Sequence, residues 1–196
     1  MLAIVLSRTN FREYDQVISL YTQEFGKREC LARGIKKMTS KNAAALLPFS
    51  LLELEIVPGK EIDHMTSAQP IRIFTDTIHD LDKISIASYA GKIANEFILP
   101  NEKDEEIFSL LLSFLDFVNS VEKINSLNLA TGFILKLWQC FGFGEEEKYG
   151  AWLKDDWIII NSFQSSEVEQ KEIYEAVCKY AEFHSGKKLA RLFSVS

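Results

Sequence analysis

The chain has 196 residues, 47% of them hydrophobic and 26% charged, and a formal net charge of -6, the profile of an ordinary soluble globular protein long enough to bury a sizeable core without staples. Three widely spaced cysteines, Cys30, Cys140 and Cys178, with no CxxC, exclude a disulfide framework and a zinc knuckle and point to a reducing compartment. No apolar run approaches the roughly 20 residues of a membrane span, and the opening MLAIVLSRTNF lacks a basic leader and a cleavage site, so no membrane partner and a cytoplasmic location are expected.

The first 75 residues carry strand signals. LAIVL, QVISLY, RECLARGI, SLLELEIV and MTSAQPIRIF are short segments with β-branched or aromatic content, separated by turns such as EFGK and VPGKE. LLELEIV alternates apolar and acidic residues, the period of a half-buried strand. Five short strands in this length predict a small closed barrel of the OB type over residues 1–75.

From residue 76 to 196 the period becomes helical. In SIASYAGKIANEFILP, Ile86, Ala90, Ile93 and Phe97 share a face, and Pro100 marks the exit. DEEIFSLLLSFLDFV places Ile107, Leu110, Leu111, Phe114, Leu115 and Val118 on one stripe, with Asp104, Glu105 and Glu106 at the positive end of the helix dipole. LNLATGFILKLWQCFGF is apolar almost all round and predicts the central helix of a bundle. EVEQKEIYEAVCKYAEFH is amphipathic, with Ile173, Val177 and Tyr180 inward. Between these last two, YGAWLKDDWIIINS predicts a small β-hairpin near residues 150–162, turning at Asp155–Asp156. The fold class expected is therefore α+β: an OB barrel, then a helical domain with a hairpin insert.

Catalytic patterns are missing. SGKKLA lacks the first glycine and the Ser or Thr of a phosphate-binding loop; His64, His79 and His184 are scattered; and no GxSxG context occurs. The acidic runs DEE, EEE and DD read as solvated helix starts and turns rather than a magnesium site. Cys140 and Cys178 read as small hydrophobes. The expectation is no active site, no metal and no cofactor.

Charge, in contrast, is unevenly placed. Residues 1–75 carry ten cations against eight anions, and the remainder twelve against twenty, so two surfaces with different partners are expected. FGKRECLARGIKKMTSK holds Lys27, Arg28, Arg33, Lys36, Lys37 and Lys41 against Glu29 alone. On an OB barrel the face of strands 2–3 and the adjoining loops hold single-stranded nucleic acid, cations meeting phosphate and rings stacking on bases. The DNA-contact set expected is thus Arg8, Arg12, Lys27, Arg28, Arg33, Lys36, Lys37 and Lys41. Phe11, Tyr14, Tyr21 and Phe25 are the ring candidates, most of them expected in the core. A protein–protein adaptor and a metal-dependent nuclease are the competing readings.

Residues 3–71, from AIVLSRTNFREYDQVISLYTQEFGK through ARG, SK and LLPFSLLELE to MTSA, resemble the N-terminal domain of the RecO family, the bacterial recombination mediators. YAGKIANEFILPNEKDEEIFSLLLSFLDFV, FILKLWQCFGF and HSGKKLARLF resemble, more loosely, that family's later helices and closing segment. The resemblance implies a non-enzymatic protein of recombinational repair in the nucleoid-associated cytoplasm. It would bind single- and double-stranded DNA, anneal complementary strands and help load recombinase, with RecR and the acidic C-terminal tail of single-strand-binding protein as partners. Lys136, Lys187, Lys188 and Arg191 are candidates for meeting that tail. Many members carry four cysteines of a zinc site after the central helix; here GEEEKYGAWLKDDWIIINS stands in that place with none, and Trp152, Trp157 and Ile158–Ile160 are expected to supply apolar packing instead.

Overall fold

The computed structural model describes residues 1–37, 46–144 and 146–192. Five strands, β1 (Leu2–Asn10), β2 (Gln16–Thr22), β3 (Gly26–Ala32), β4 (Leu51–Val57) and β5 (Asp63–Arg72), are followed by α1 (Thr75–His79), α2 (Leu81–Phe97), α3 (Glu105–Ser120), α4 (Ser126–Cys140), α5 (Glu146–Lys154), α6 (Trp157–Ser162) and α7 (Glu167–Ser185). The chain divides into two compact units. One comprises Met1–Phe74 with Ala94–Leu112, and the other Thr75–Ile93 with the residues from Ser113 onward.

In the first unit the strands close into a barrel in the order β1-β2-β3-β5-β4, with β4 returning to β1. All neighbours are antiparallel except β3 and β5, which pair in parallel through Cys30 with Asp63 and Leu31 with His64. The period of two read from the sequence delivers the interior: Ala3, Val5, Ile18, Leu20, Cys30, Leu52, Leu54 and Ala68 point inward, and Ile35 and Leu46 close the set. Register shifts between Val5 and Ser7 and between Glu55 and Ile56 supply the bends a closed sheet needs.

Chain from beyond the barrel belongs to this unit. Tyr21, fully buried, accepts the Asp104 amide at 3.1 Å through its hydroxyl, whose proton points at the carbonyls of Glu102 and Asp104. The Asn101 amide donates to the Lys27 carbonyl at 2.9 Å. Gly26 lets this segment come close. Its φ is +67°, and a Cβ there would stand 1.9 Å from the Glu102 carbonyl oxygen.

The second unit is helical. α4 is its most buried element, with Leu127 to Leu135, Leu137 and Trp138 all buried, as its uniformly apolar sequence predicts. Ile86, Ala90 and Ile93 of α2 and Phe114, Leu115 and Val118 of α3 are buried in this unit, and the remaining residues of the same stripes, Phe97, Ile107, Leu110 and Leu111, are buried in the first. α7 turns slightly from its expected face. Tyr174, Val177, Cys178 and Ala181 are buried, and Ile173 and Tyr180 only half-buried. A capping box between Ser166 and Glu169 starts α7 and left-handed Gly186 ends it. Its closing segment is strapped by a buried tyrosine pair: Tyr89 and Tyr174 share a hydroxyl contact of 2.9 Å, Tyr89 donates to the Ala190 carbonyl, and the Leu192 amide donates to Tyr174.

The hairpin expected near residues 150–162 is not formed; α5 and α6 occupy that stretch. The β-branched run read as a strand follows a helical period instead, burying Tyr149, Leu153, Trp157 and Ile160 while Ile158 and Ile159 face solvent. Packing decides this. Trp157 meets Phe114 edge-on at 5.0 Å and donates its indole N–H to Ser113, and α6 lies so close to α4 that a Cβ on Gly132 would stand 2.9 Å from Ile160. Asp156, read as a turn residue, occupies the N-cap position of α6. Apolar packing by Trp157 and Ile160 thus matches the expectation, and packing by Ile158 and Ile159 does not.

Gly26→Ala is expected to lower unfolding free energy by about 2 kcal/mol or more, through a strained φ and the collision with Glu102. Trp157→Ala is expected to cost about 3–5 kcal/mol. Urea titration followed by far-UV circular dichroism checks both.

Candidate nucleic-acid interface

The cations expected to act together are divided between the two ends of the β2–β3 hairpin. The hairpin register pairs Gln16 with Ala32 at one end and Tyr21 with Lys27 at the other, so five residues, roughly 16 Å of strand, separate Lys27 from Ala32.

At the far end, Lys27 and Arg28 are used by the chain itself. Lys27 Nζ donates to the Asn95 carbonyl at 2.6 Å. Arg28 donates to Asp63 Oδ2 at 2.6 Å and to Asn101 Oδ1 at 2.8 Å, and both members of the ion pair are largely withdrawn from solvent. Lys27, Arg28, Asp63, Pro100 and Asn101 line a cavity of about 500 Å³ that Glu29 and Glu61 also enter. Carboxylates in its wall make it a poor place for phosphate. The structure thus places Lys27 and Arg28 apart from the near-end cations, with their donors directed to Asn95, Asn101 and Asp63. Phe25 is exposed beside them, with Arg28 5.9 Å from its ring centre.

At the near end two segments meet. The turn after β3 is pinned to the β1–β2 loop by the Gly34 amide donating to Asp15 Oδ1 at 2.8 Å and the Lys36 amide donating to the Tyr14 carbonyl at 3.1 Å. Lys36 Nζ reaches the Arg12 carbonyl at 3.3 Å. Gly34 adopts φ +65°, which an L side chain resists and which turns the chain back toward the loop. Arg12, Arg33, Lys36 and Lys37 are all exposed here.

Rings stand among these cations. Phe11 is 52% and Tyr14 45% exposed. The Arg12 guanidinium lies 5.0 Å from the Phe11 ring centre and Lys37 Nζ 5.6 Å from that of Tyr14, within cation–π range. A hydrogen bond with Glu13 raises the Tyr14 pKa, which keeps the phenol neutral. Of the four ring candidates, only Tyr21 is in the interior. The expectation that most would be core fails, because Phe11 and Tyr14 lie on the β1–β2 loop and Phe25 at the hairpin tip, and all three are exposed.

Arg8 belongs to this end but is held back. Its Nε and one Nη both donate to Gln16 Oε1, at 3.0 and 2.7 Å, and Gln16 in turn donates to Asn10. Burial works against its charge. Lys41 lies outside the described residues.

In the helical unit, Lys136 donates to the Leu153 carbonyl at 2.8 Å, and burial lowers its pKa. Arg191 pairs with Glu182 at 2.9 Å and Glu175 at 3.2 Å. Both are engaged internally. Lys187 and Lys188 have exposed side chains. Burial pushes the Cys30 thiol up to about 12 and the Cys178 thiol up to about 11, so neither is poised as a nucleophile. Among the described residues no three His, Cys, Asp or Glu side chains are grouped to hold a metal ion, and the residues standing in place of the zinc module do not fit one. No helix among the described residues is long and apolar enough to cross a membrane.

Two family descriptions match the chain: Recombination protein O N terminal over residues 1–74, and Recombination protein O C terminal over residues 78–154. Among curated relatives, the DNA repair protein RecO of Desulforamulus reducens is 32% identical over 116 residues, 59% of this chain and 45% of its own length. The proteins of the same name from Anaeromyxobacter sp. strain K and Geobacter metallireducens are 32% identical over 119 residues and 27% identical over 153, covering 60% and 74% of this chain and 47% and 62% of their own. The chain spans about half the length of the curated relatives it matches.

Arg28→Ala is expected to cost about 1 kcal/mol, a few degrees in Tm, by leaving Asp63 without its cation. Arg12→Ala, at an exposed loop, is expected to leave Tm unchanged. Differential scanning calorimetry of the two variants separates the structural cation from the available one.

Proposed function

Since the chain belongs to the RecO family, we propose that it is a mediator of recombinational repair that binds single-stranded DNA at the loop end of its barrel. The observation that supports this most is the convergence of Arg12, Arg33, Lys36 and Lys37 with the exposed rings of Phe11 and Tyr14 on two segments tied together by the Asp15 carboxylate. The β1–β2 loop is where barrels of this type carry oligonucleotides. Cations there neutralise phosphates and rings take bases face-on without reading sequence. Watson–Crick edges then stay free, so strands held in this way can pair, which is the physical basis for annealing.

The role carries further proposals with it. Double-stranded DNA would be met by the same cations through its phosphates, more weakly because its bases are already stacked. RecR and the acidic C-terminal tail of single-strand-binding protein are the partners through which recombinase loading would proceed, on the nucleoid in the cytoplasm. The protein would act by holding strands and not by cutting them.

With four phosphates neutralised, the logarithm of single-strand affinity is expected to fall with the logarithm of salt at a slope of about −3. Arg12→Glu with Lys37→Glu should weaken binding tenfold or more and flatten that slope. Phe11→Ala with Tyr14→Ala should weaken binding by about 1–3 kcal/mol per lost stack while leaving the slope near its original value. Fluorescence anisotropy of a labelled oligothymidylate at 50 to 300 mM salt (roughly the range where such slopes are read) measures all three. Affinity unaltered in the double charge reversal removes the proposed surface and favours a polypeptide-binding adaptor.

A further inference from the structure

The inner face of the barrel changes character at its near end. Val5 pairs with Leu20 and both face the core, but the register then skips Leu6, so that Ser7 pairs with Ser19 and Arg8 with Ile18. Directly opposed residues share a face of a sheet. Ile18 faces the core, so Arg8 and, two residues on, Asn10 lie on the inner face, where an unbroken alternation would have put Ser7 and Thr9. Gln16, opposite both Asn10 and Ala32, joins them there.

These three side chains are ordered by their chemistry. A guanidinium can only donate, so the Gln16 side-chain oxygen must face Arg8, and it accepts from Nε at 3.0 Å and from Nη2 at 2.7 Å. The Gln16 amino group is thereby turned to Asn10 Oδ1, at 3.0 Å, which leaves the Asn10 amino group as a donor. The end of the guanidinium fork, with one N–H on Nη1 and one on Nη2 in parallel, has no partner among the described residues.

The charge is uncompensated as well. No carboxylate among the described residues pairs with Arg8, and residues 38–45, MTSKNAAA, contain none. Burial alone acts on its pKa, and lowers it. Gln16 is 9% exposed and Arg8 is half-buried, so the cation gives up water without gaining an anion, an arrangement that costs stability. What it offers a ligand is donors.

We propose that Arg8 and Asn10 form a phosphate site in the mouth of the barrel, with Gln16 as the positioning residue that aims the guanidinium. The proposal rests on the strand-binding reading of the loop end and adds a fixed contact to it: the group bound is a phosphate of that strand, internal or terminal. A bidentate guanidinium–phosphate contact is short and directional. It would set where the strand lies relative to Phe11, the residue next to Asn10. The lysines of the loop end, point charges on flexible stems, do not fix a register in this way.

Arginine Nε–H NMR spectra of the isotope-labelled full chain test this. The Arg8 cross-peak, identified by its loss in Arg8→Lys, should shift on addition of thymidylyl-thymidine and of the same dinucleotide carrying a 5′ phosphate. It should stay fixed with the uncharged methylphosphonate analogue. A stronger response to the 5′-phosphorylated form assigns a terminal phosphate, and an equal response an internal phosphodiester. No shift with either dinucleotide, a shift with the methylphosphonate as large as with its parent, or a shift with inorganic phosphate alone overturns the proposal. Gln16→Glu puts the missing carboxylate beside Arg8, so it should raise Tm and weaken oligothymidylate binding about tenfold. A merely structural role would not move those two readouts in opposite senses, and unaltered affinity in Gln16→Glu overturns the proposal. Arg8→Lys keeps the charge and loses the fork; it should weaken binding about fivefold with the salt slope unchanged. The Arg8 cross-peak should still move in the Arg12→Glu, Lys37→Glu protein, so loss of the loop surface and loss of this contact are read separately.

Discussion

Closing the barrel depends on a short parallel contact. β3 and β5 meet through only two residue pairs, Cys30 with Asp63 and Leu31 with His64, beside antiparallel ladders that run the length of the hairpins. The Arg28–Asp63 ion pair sits at this seam, and Asn101 shares the guanidinium. A cation bound there to a partly shielded carboxylate cannot meet a phosphate without giving that partner up. The seam therefore engages Arg28 within the barrel itself.

The candidate interface lies apart from this seam. The extension from Asn95 to Asp104 occupies the tip end of the β2–β3 hairpin, anchored by Tyr21 and admitted by Gly26. What remains exposed is the opposite end, where the Lys36 amide donates to the Tyr14 carbonyl and its Nζ to the Arg12 carbonyl, joining segments more than twenty residues apart. Membership of the RecO family and the geometry of this loop end are independent lines of support for the same reading.

Much of this was legible from the residues. Alternation at period two gave the barrel interior, and the stripes of α2, α3 and α4 gave the buried faces, because each pattern follows from local backbone geometry. The insert was misread for a physical reason: Trp157-Ile-Ile-Ile has strand propensity, but the notch at Gly132 rewards a helix that seats Ile160 and Trp157 against α4. The site was legible as a composition and not as a geometry. No local pattern says that Lys27 will reach the Asn95 carbonyl or Arg28 the Asp63 carboxylate, since those partners lie 68 and 35 residues away.

The pairing of Arg12 with Phe11 and of Lys37 with Tyr14 has a geometric corollary. Each ring has two faces, and its own chain's cation already shades one. On the proposed interface a base would stack on the face opposite the cation, the other face of that ring being taken by the chain's own charge. A strand on that proposed surface would be backed at each ring by a charge of the protein itself, like type set against a composing stick.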